Sequence, residues 1–349
     1  GWSLTDEEDE PRKWYFPAGS TIPAGGYLIV MATGYDVSQA NGALYIHTNF
    51  KLSSDGEYVG LVDSEGTVVS EIRPGYPAQN AFYSYGRDRE GVFRYLDTAT
   101  PGVTNKGACF TALSSPPTFS HLGGFYSTSF PLQLAALDTE AAIRYTVDGT
   151  EPTATNGKTY SAPLTVSSNT TLRVRCIKAG EVPSPIVTHS FLIAQSAARR
   201  SIPAISFTGD PVLAIYGPNS VGGPTNGQGV MSIKGGVFTN GIWESMGDTS
   251  AFNVPILRGR CSEKPVSFEF YPTSGIPLRT DLGLRISGSP HARPRYRLTA
   301  ATSGRFSPTD FTLKPSFNIF FRGELGESPQ DYTFFPESKV TKFEDIRIR

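Results

Sequence analysis

Cysteine is scarce in this chain. There are three in 349 residues, Cys109, Cys176 and Cys261, far apart and with no Cys-x-x-Cys spacing. An odd, dispersed set argues against a disulfide scaffold, a zinc ribbon or a redox dithiol. Histidine is equally sparse: His47, His121, His189 and His291 are scattered with no metal-ligand spacing. No apolar run approaches the ~18 residues of a membrane-spanning helix. Neither charge sign dominates, with 31 Lys and Arg against 32 Asp and Glu and a net charge of −1. Bulk electrostatic attraction to nucleic acid or to an anionic membrane is therefore not expected.

Glycine and proline are abundant, at 36 and 27 residues. A chain punctuated this often has no room for long helices, which excludes a coiled coil or a helical bundle. Hydrophobic residues at 38% and aromatics at 12% exclude a mostly disordered chain. Short strands and tight turns remain, and the fold class expected is all-β, with tandem immunoglobulin-like sandwiches. Both ends read as cut. The chain begins Gly1-Trp2-Ser3 without a Met, and residues 343–349 alternate apolar and polar as a strand in progress.

Composition shifts mark the modules. Residues 1–108 read as a first β-sandwich, with Tyr27–Met31 as a buried strand and Asp63-Ser64-Glu65-Gly66 as the turn of a hairpin. Residues 109–117, with Ser114-Ser115-Pro116-Pro117, read as a linker. Residues 118–193 form a second β pattern. Within it Leu172, Val174 and Cys176 share one strand face and Arg173 and Arg175 the other, so Cys176 reads as a small core residue. A second linker spans 194–200, and 201–349 is a third β-rich segment with alternation at Lys264–Phe270 and Leu282–Ile286.

Three resemblances follow from particular residues. Gly1-Trp2-Ser3-Leu4-Thr5-Asp6, Trp14-Tyr15-Phe16-Pro17, Ile22-Pro23-Ala24-Gly25-Gly26-Tyr27, His47–Leu52 and Ala99-Thr100-Pro101-Gly102 resemble a lamin-tail domain lacking its first strand. Gly124-Phe125-Tyr126, Ile143–Thr146 and Asp148-Gly149-Thr150-Glu151-Pro152-Thr153 resemble the C-terminal β-sandwich of chitobiases and β-hexosaminidases, also found as a fibronectin-III-associated repeat. In that family it is an accessory, not the catalytic unit. Ile202–Ser206, Glu263–Phe270, Gly283–Ser289, Arg293–Leu298, Lys314–Phe317 and Phe343-Glu344-Asp345 resemble the front of a CotH-family domain, related to spore coat protein H and to atypical kinases. That resemblance implies ATP and magnesium for a longer parent whose catalytic acids lie beyond Arg349, and no cofactor for this stretch. Relatives often carry Pro-Lys-Lys-Ser where Arg293, Arg295 and Tyr296 stand here.

Candidate sites are few. Arg293, Arg295 and Arg297 share a strand face if the segment is extended, and their guanidiniums suit phosphate; a solvated or ion-paired face is the plainer alternative. Trp14, Tyr15 and Phe16 cannot all face one core, so one ring is expected at the surface. Trp14 and Tyr15 are the candidates for stacking on sugar. Gly217–Gly229 lacks a P-loop ending and reads as a loop. Asp6-Glu7-Glu8-Asp9-Glu10 lacks the ligand spacing of a calcium loop and reads as solvated. Asp148-Gly149 reads as a turn. No hydrolase signature is present, so no catalytic residue and no metal site are named. The three resemblances together imply a non-catalytic piece of a bacterial extracellular or envelope protein, structural, adhesive or a spacer. Its partners would be surface proteins or polysaccharide, and not nucleic acid. The alternatives are the front of a CotH-type kinase and a set of polysaccharide-binding modules.

Overall fold

A computed structural model describes residues 1–36, 45–80, 82–216, 229–230, 236–239, 242–245, 260, 263–287 and 316–348. The architecture is nearly all β, as the composition implies. Two compact units form: Gly1–Leu113 with Gly180–Val182, and Ser114–Ala179 with Pro183–Arg349. The first boundary falls at the Ser-Pro stretch. The expected second and third modules share one unit.

In the first unit, β1 (Ser3–Thr5), β2 (Trp14–Tyr15), β5 (Val59–Val62) and β6 (Val68–Ile72) make a sheet in the order β2-β1-β5-β6. The unit also holds a parallel pair, β3 (Val30–Met31) and β4 (Ile46–His47), and a three-stranded sheet of β7 (Ser84–Arg87), β8 (Phe93–Leu96) and β9 (Cys109–Phe110). The β5–β6 hairpin forms where the sequence places it. The Asp63 carboxylate accepts from the N–H groups of Glu65 and Thr67, and Gly66 takes φ +95°, which a side chain would resist. The expected buried strand at Tyr27–Met31 is corrected. Only Val30 and Met31 find partners on β4, and Tyr27 and Met31 are exposed. The Tyr27 hydroxyl donates to Thr104 Oγ1, which keeps the ring at the surface.

In the second unit, the middle module has β10 (Thr118–Phe119), β11 (Gly124–Tyr126), β12 (Phe130–Leu132), β13 (Leu134–Ala135), β14 (Ala142–Thr146), β15 (Lys158–Thr159), β16 (Leu164–Val166), β17 (Thr170–Ile177) and β18 (Val187–Ile193). Its main sheet runs β11-β18-β17-β14-β15, with β12-β16 and β10-β13 as small pairs. Leu172, Val174 and Cys176 are buried in its core beside Leu132, Ile143 and Phe191, and Arg173 and Arg175 take the opposite face, as the alternation requires. A short helix α1 (Ala197–Arg200) connects to the third segment.

That segment holds β19 (Ala204–Thr208), a π-helical turn (Pro211–Tyr216), β20 (Gly236–Thr239), β21 (Ile242–Ser245), β22 (Lys264–Tyr271), β23 (Leu278–Ile286), β24 (Phe317–Phe320), β25 (Gln330–Asp331), β26 (Lys342–Phe343) and β27 (Asp345–Ile348). An antiparallel sheet runs β19-β22-β23-β24-β27, and β20-β21 and β25-β26 pair separately. One face of it is apolar, where Val266, Phe268, Leu282, Leu284 and Ile319 form a second core.

Candidate functional site

The other face of β22 is not solvent. Ser267, Glu269 and Tyr271 alternate with Val266, Phe268 and Phe270, yet all six are buried. The polar set lies against the outer face of the middle module, where Arg173, Thr188 and Ser190 project. Two β-sheets thus meet through their polar faces and form a seam. Strand register builds it in two rows. Ser206, Glu269 and Arg279 stand side by side across β19, β22 and β23, and Thr208, Ser267 and Asp281 form the next row. Opposite them, Thr171 pairs with Ser190 and Arg173 with Thr188 across β17 and β18.

Glu269 is the centre of the first row, with 1% of its surface exposed. Its Oε1 accepts from the Ser190 N–H at 3.1 Å. The Tyr271 hydroxyl lies 2.5 Å from the same oxygen and 3.0 Å from the Ser190 carbonyl, so its one proton serves two acceptors. Arg279 Nε stands 3.5 Å from Oε1, and its Nη2 donates to the Gly123 carbonyl at 2.6 Å. His189 Nδ1 is 3.8 Å away, beyond hydrogen-bond length, and its ring meets Phe119 edge-on. Glu269 Oε2 is buried without a hydrogen bond. Ser190 Oγ reaches both Thr171 Oγ1 (3.0 Å) and Ser206 Oγ (2.8 Å).

In the second row, Thr188 Oγ1 donates to Ser267 Oγ at 2.9 Å, and Ser267 Oγ donates to Asp281 Oδ1 at 2.6 Å. Arg173 supplies the nearby positive charge and donates through Nη1 to the Gly149 carbonyl. Backbone contacts are close as well. A Cβ on Gly123 would lie 2.5 Å from the Tyr271 hydroxyl and 2.9 Å from the Ser190 carbonyl, and one on Gly149 would lie 2.6 Å from the Gly209 carbonyl. Gly149 also has φ +84°, as its Asp-Gly turn requires.

Burial acts differently on the two carboxyls. Burial alone would raise Glu269, but His189, Ser190 and Tyr271 outweigh it and hold this carboxyl below its ordinary value. Burial dominates at Asp281 and pushes it up, against the pull of the Ser267 hydroxyl and of Arg173. Burial lowers Arg173, and burial followed by the Glu269 charge raises Tyr271.

The residues singled out in the sequence fall elsewhere. Arg293, Arg295 and Arg297 lie outside the described residues, as does nearly all of Gly217–Gly229. Trp14 is 5% exposed, donates its indole N–H to Asp36 Oδ1 at 2.9 Å and meets Phe16 edge-on. Its ring belongs to the core with Ile46 and Phe50, so it offers no platform to a sugar. Tyr15, on the opposite strand face, is 46% exposed with Arg12 beside its hydroxyl. The acidic run is not simply solvated, since Lys13 pairs with Asp6 and Glu7, and Arg73 with Glu8. Among the described residues, no three His, Cys, Asp or Glu side chains gather as metal ligands, and no helix is long and apolar enough to cross a membrane. The sequence reading missed Glu269, Asp281 and Gly123. Alternation marks the face Glu269 occupies, but nothing local says that a second sheet covers that face.

The strand set from β11 to β18, with an Asp-Gly turn after β14, coincides with a known module type. Residues 122–188 match the chitobiase/beta-hexosaminidase C-terminal domain. No curated protein matches the chain. The matched span carries one side of the seam, including Gly123, Gly149, Arg173 and Thr188, while Ser190 lies just past it. What this chitobiase-type module offers outward on β17 and β18 is therefore a sheet face already occupied by the third segment.

Proposed function

We propose that the chain is a non-catalytic array within a larger bacterial secreted or envelope protein, in which the chitobiase-type module serves as a rigid mount for the third segment. The observation that carries this reading is the seam. A module joined by a flexible linker alone would keep its own polar face in water. Here Ser190, Glu269, Tyr271, Thr188 and Ser267 are buried and hydrogen-bonded across the junction. Amide exchange on the full chain during thermal unfolding tests it. Peptides from 170–177 and from 264–286 should lose protection in one step. Separate melting of the two would overturn the mount.

Polysaccharide binding is the second reading, favoured by the exposed rings of Trp2, Tyr15 and Tyr27 on the first unit. Retention on insoluble chitin, cellulose or peptidoglycan, reduced at least several-fold by Tyr15→Ala, would support it. Equal retention of the variant would remove Tyr15 from the site. A CotH-type kinase remains a proposal for the longer parent. It expects no Mg²⁺–ATP binding by residues 1–349 alone and Mg²⁺–ATP binding once the chain is extended past Arg349, both read by titration calorimetry.

A further inference from the structure

The seam covers only part of the third segment's sheet. Farther along β23, the same outer face continues onto β24 and β27. Leu284, Ile286, Ile319, Ile346 and Ile348 turn to the core, so alternation turns Arg285, Asn318, Phe320, Asp345 and Arg347 outward. Register places Arg285, Asn318 and Arg347 side by side across β23, β24 and β27, with Gly283, Phe320 and Asp345 in the neighbouring row. The two arginines thus stand two strand spacings apart, about 9.5 Å across the sheet.

Among the described residues neither arginine has a carboxylate partner, whereas Arg260, Arg279 and Arg322 face Glu324, Glu269 and Glu263. Both are nevertheless held in place. The Arg285 guanidinium lies 4.7 Å from the centre of the Phe320 ring, and Arg347 donates through Nε to Asn318 Oδ1 at 3.2 Å. Stacking uses no N–H of Arg285, and the bond to Asn318 leaves the terminal nitrogens of Arg347 open. Glu263 reaches over Gly283, but both its oxygens accept from Arg322, at 3.0 and 2.8 Å. Guanidiniums oriented in advance with donors left open are suited to an anion, because the fork matches a carboxylate edge. Asp345 is exposed one row away.

We propose that this face binds an acidic polysaccharide built of uronic acids, with Arg285 and Arg347 each taking a carboxylate and Asp345 accepting sugar hydroxyls. Charge complementarity selects this occupant. The two arginines attract carboxylates, but the exposed acid beside them repels a densely charged chain such as nucleic acid, polyphosphate or polyglutamate. A uronate polymer spaces its charges on hydroxyl-bearing rings. Those hydroxyls donate to Asp345 and accept from the Asn318 amide. An open sheet face, in contrast to a closed cavity, accommodates an extended chain. The proposal needs neither the seam nor Tyr15, and so goes beyond both readings above.

The test is titration calorimetry of the full chain with polygalacturonate at low and at physiological salt. Binding should weaken as salt rises and vanish with the fully methyl-esterified polymer, which keeps its hydroxyls and loses its charge. Arg347→Gln should weaken binding about tenfold or more, the loss expected of one charge-assisted bond, and Arg285→Gln likewise. Arg347 is exposed, so its variant should keep the wild-type urea midpoint. It decides alone if Arg285→Gln, which unstacks Phe320, fails to fold. Polyglutamate and polyphosphate are the comparison ligands. Equal affinity for either would overturn the polysaccharide assignment, since a plain basic patch reads charge only. No binding of polygalacturonate, or undiminished binding by Arg347→Gln, would overturn the site.

Discussion

At the scale of the residue, Glu269 and its donors are the most consequential group. Tyr271→Phe removes one hydroxyl and leaves Glu269 Oε1 with the Ser190 N–H. We expect a loss of about 1–3 kcal/mol, read as a lower urea midpoint for the second unit. Gly123→Ala should act through space alone, since its Cβ would meet the Tyr271 hydroxyl and the Ser190 carbonyl. Exchange protection of 187–193 should fall while that of 84–96, in the first unit, is unchanged. The thiols give an independent check. Cys109 is exposed, whereas Cys176 is 1% exposed and raised by burial. Peptide-mapped alkylation of the native chain should label Cys109 readily and Cys176 only once denaturant is added. Cys176 was legible from the alternation of Leu172, Val174 and Cys176, because period two reports which face is apolar. Glu269 was not, because the same alternation cannot separate a polar face in water from a polar face against another sheet.

At the scale of the element, β22 and β18 differ from ordinary sandwich strands in being covered on both sides. Strands buried twice are usually apolar throughout. These two keep one polar face, which makes them read like half-exposed strands. The β5–β6 hairpin shows the opposite case. Asp63 and Gly66 specify their turn through bonds within a few residues, so the sequence suffices. Tyr27–Met31 looked like a core strand because apolar runs are ambiguous without a partner, and β4 offers pairing to only two of its residues. Phe191 is fully buried in the middle core. Phe191→Ala should cost about 3–5 kcal/mol by cavity formation. Because β18 also carries Ser190, the variant should loosen β22 as well, visible as faster exchange at 264–271.

At the scale of the whole molecule, the all-β class followed from glycine, proline and the missing helical pattern. The stretch 109–117 reads as a linker from its prolines; the second unit begins within it, at Ser114, while Cys109–Phe110 forms β9 of the first unit. The break drawn at 194–200 marks a connector in sequence, but the two bodies it joins share one compact unit. Linker composition reports local flexibility and says nothing of contacts made by residues 79 positions apart, such as Thr188 and Ser267. The shared strand β18 has a further consequence, for the lengths this chain tolerates. Along 187–193 successive side chains answer to two different neighbours, Phe191 and Ile193 to their own core and Thr188 and Ser190 to the facing sheet. Removing one residue there would exchange the two sets, placing a phenyl ring against Glu269 and a hydroxyl among Leu132 and Leu172. Gains and losses of single residues should therefore be accepted in the exposed 154–157 turn and rejected within 187–193, a contrast that a one-codon deletion scan with a solubility readout would measure.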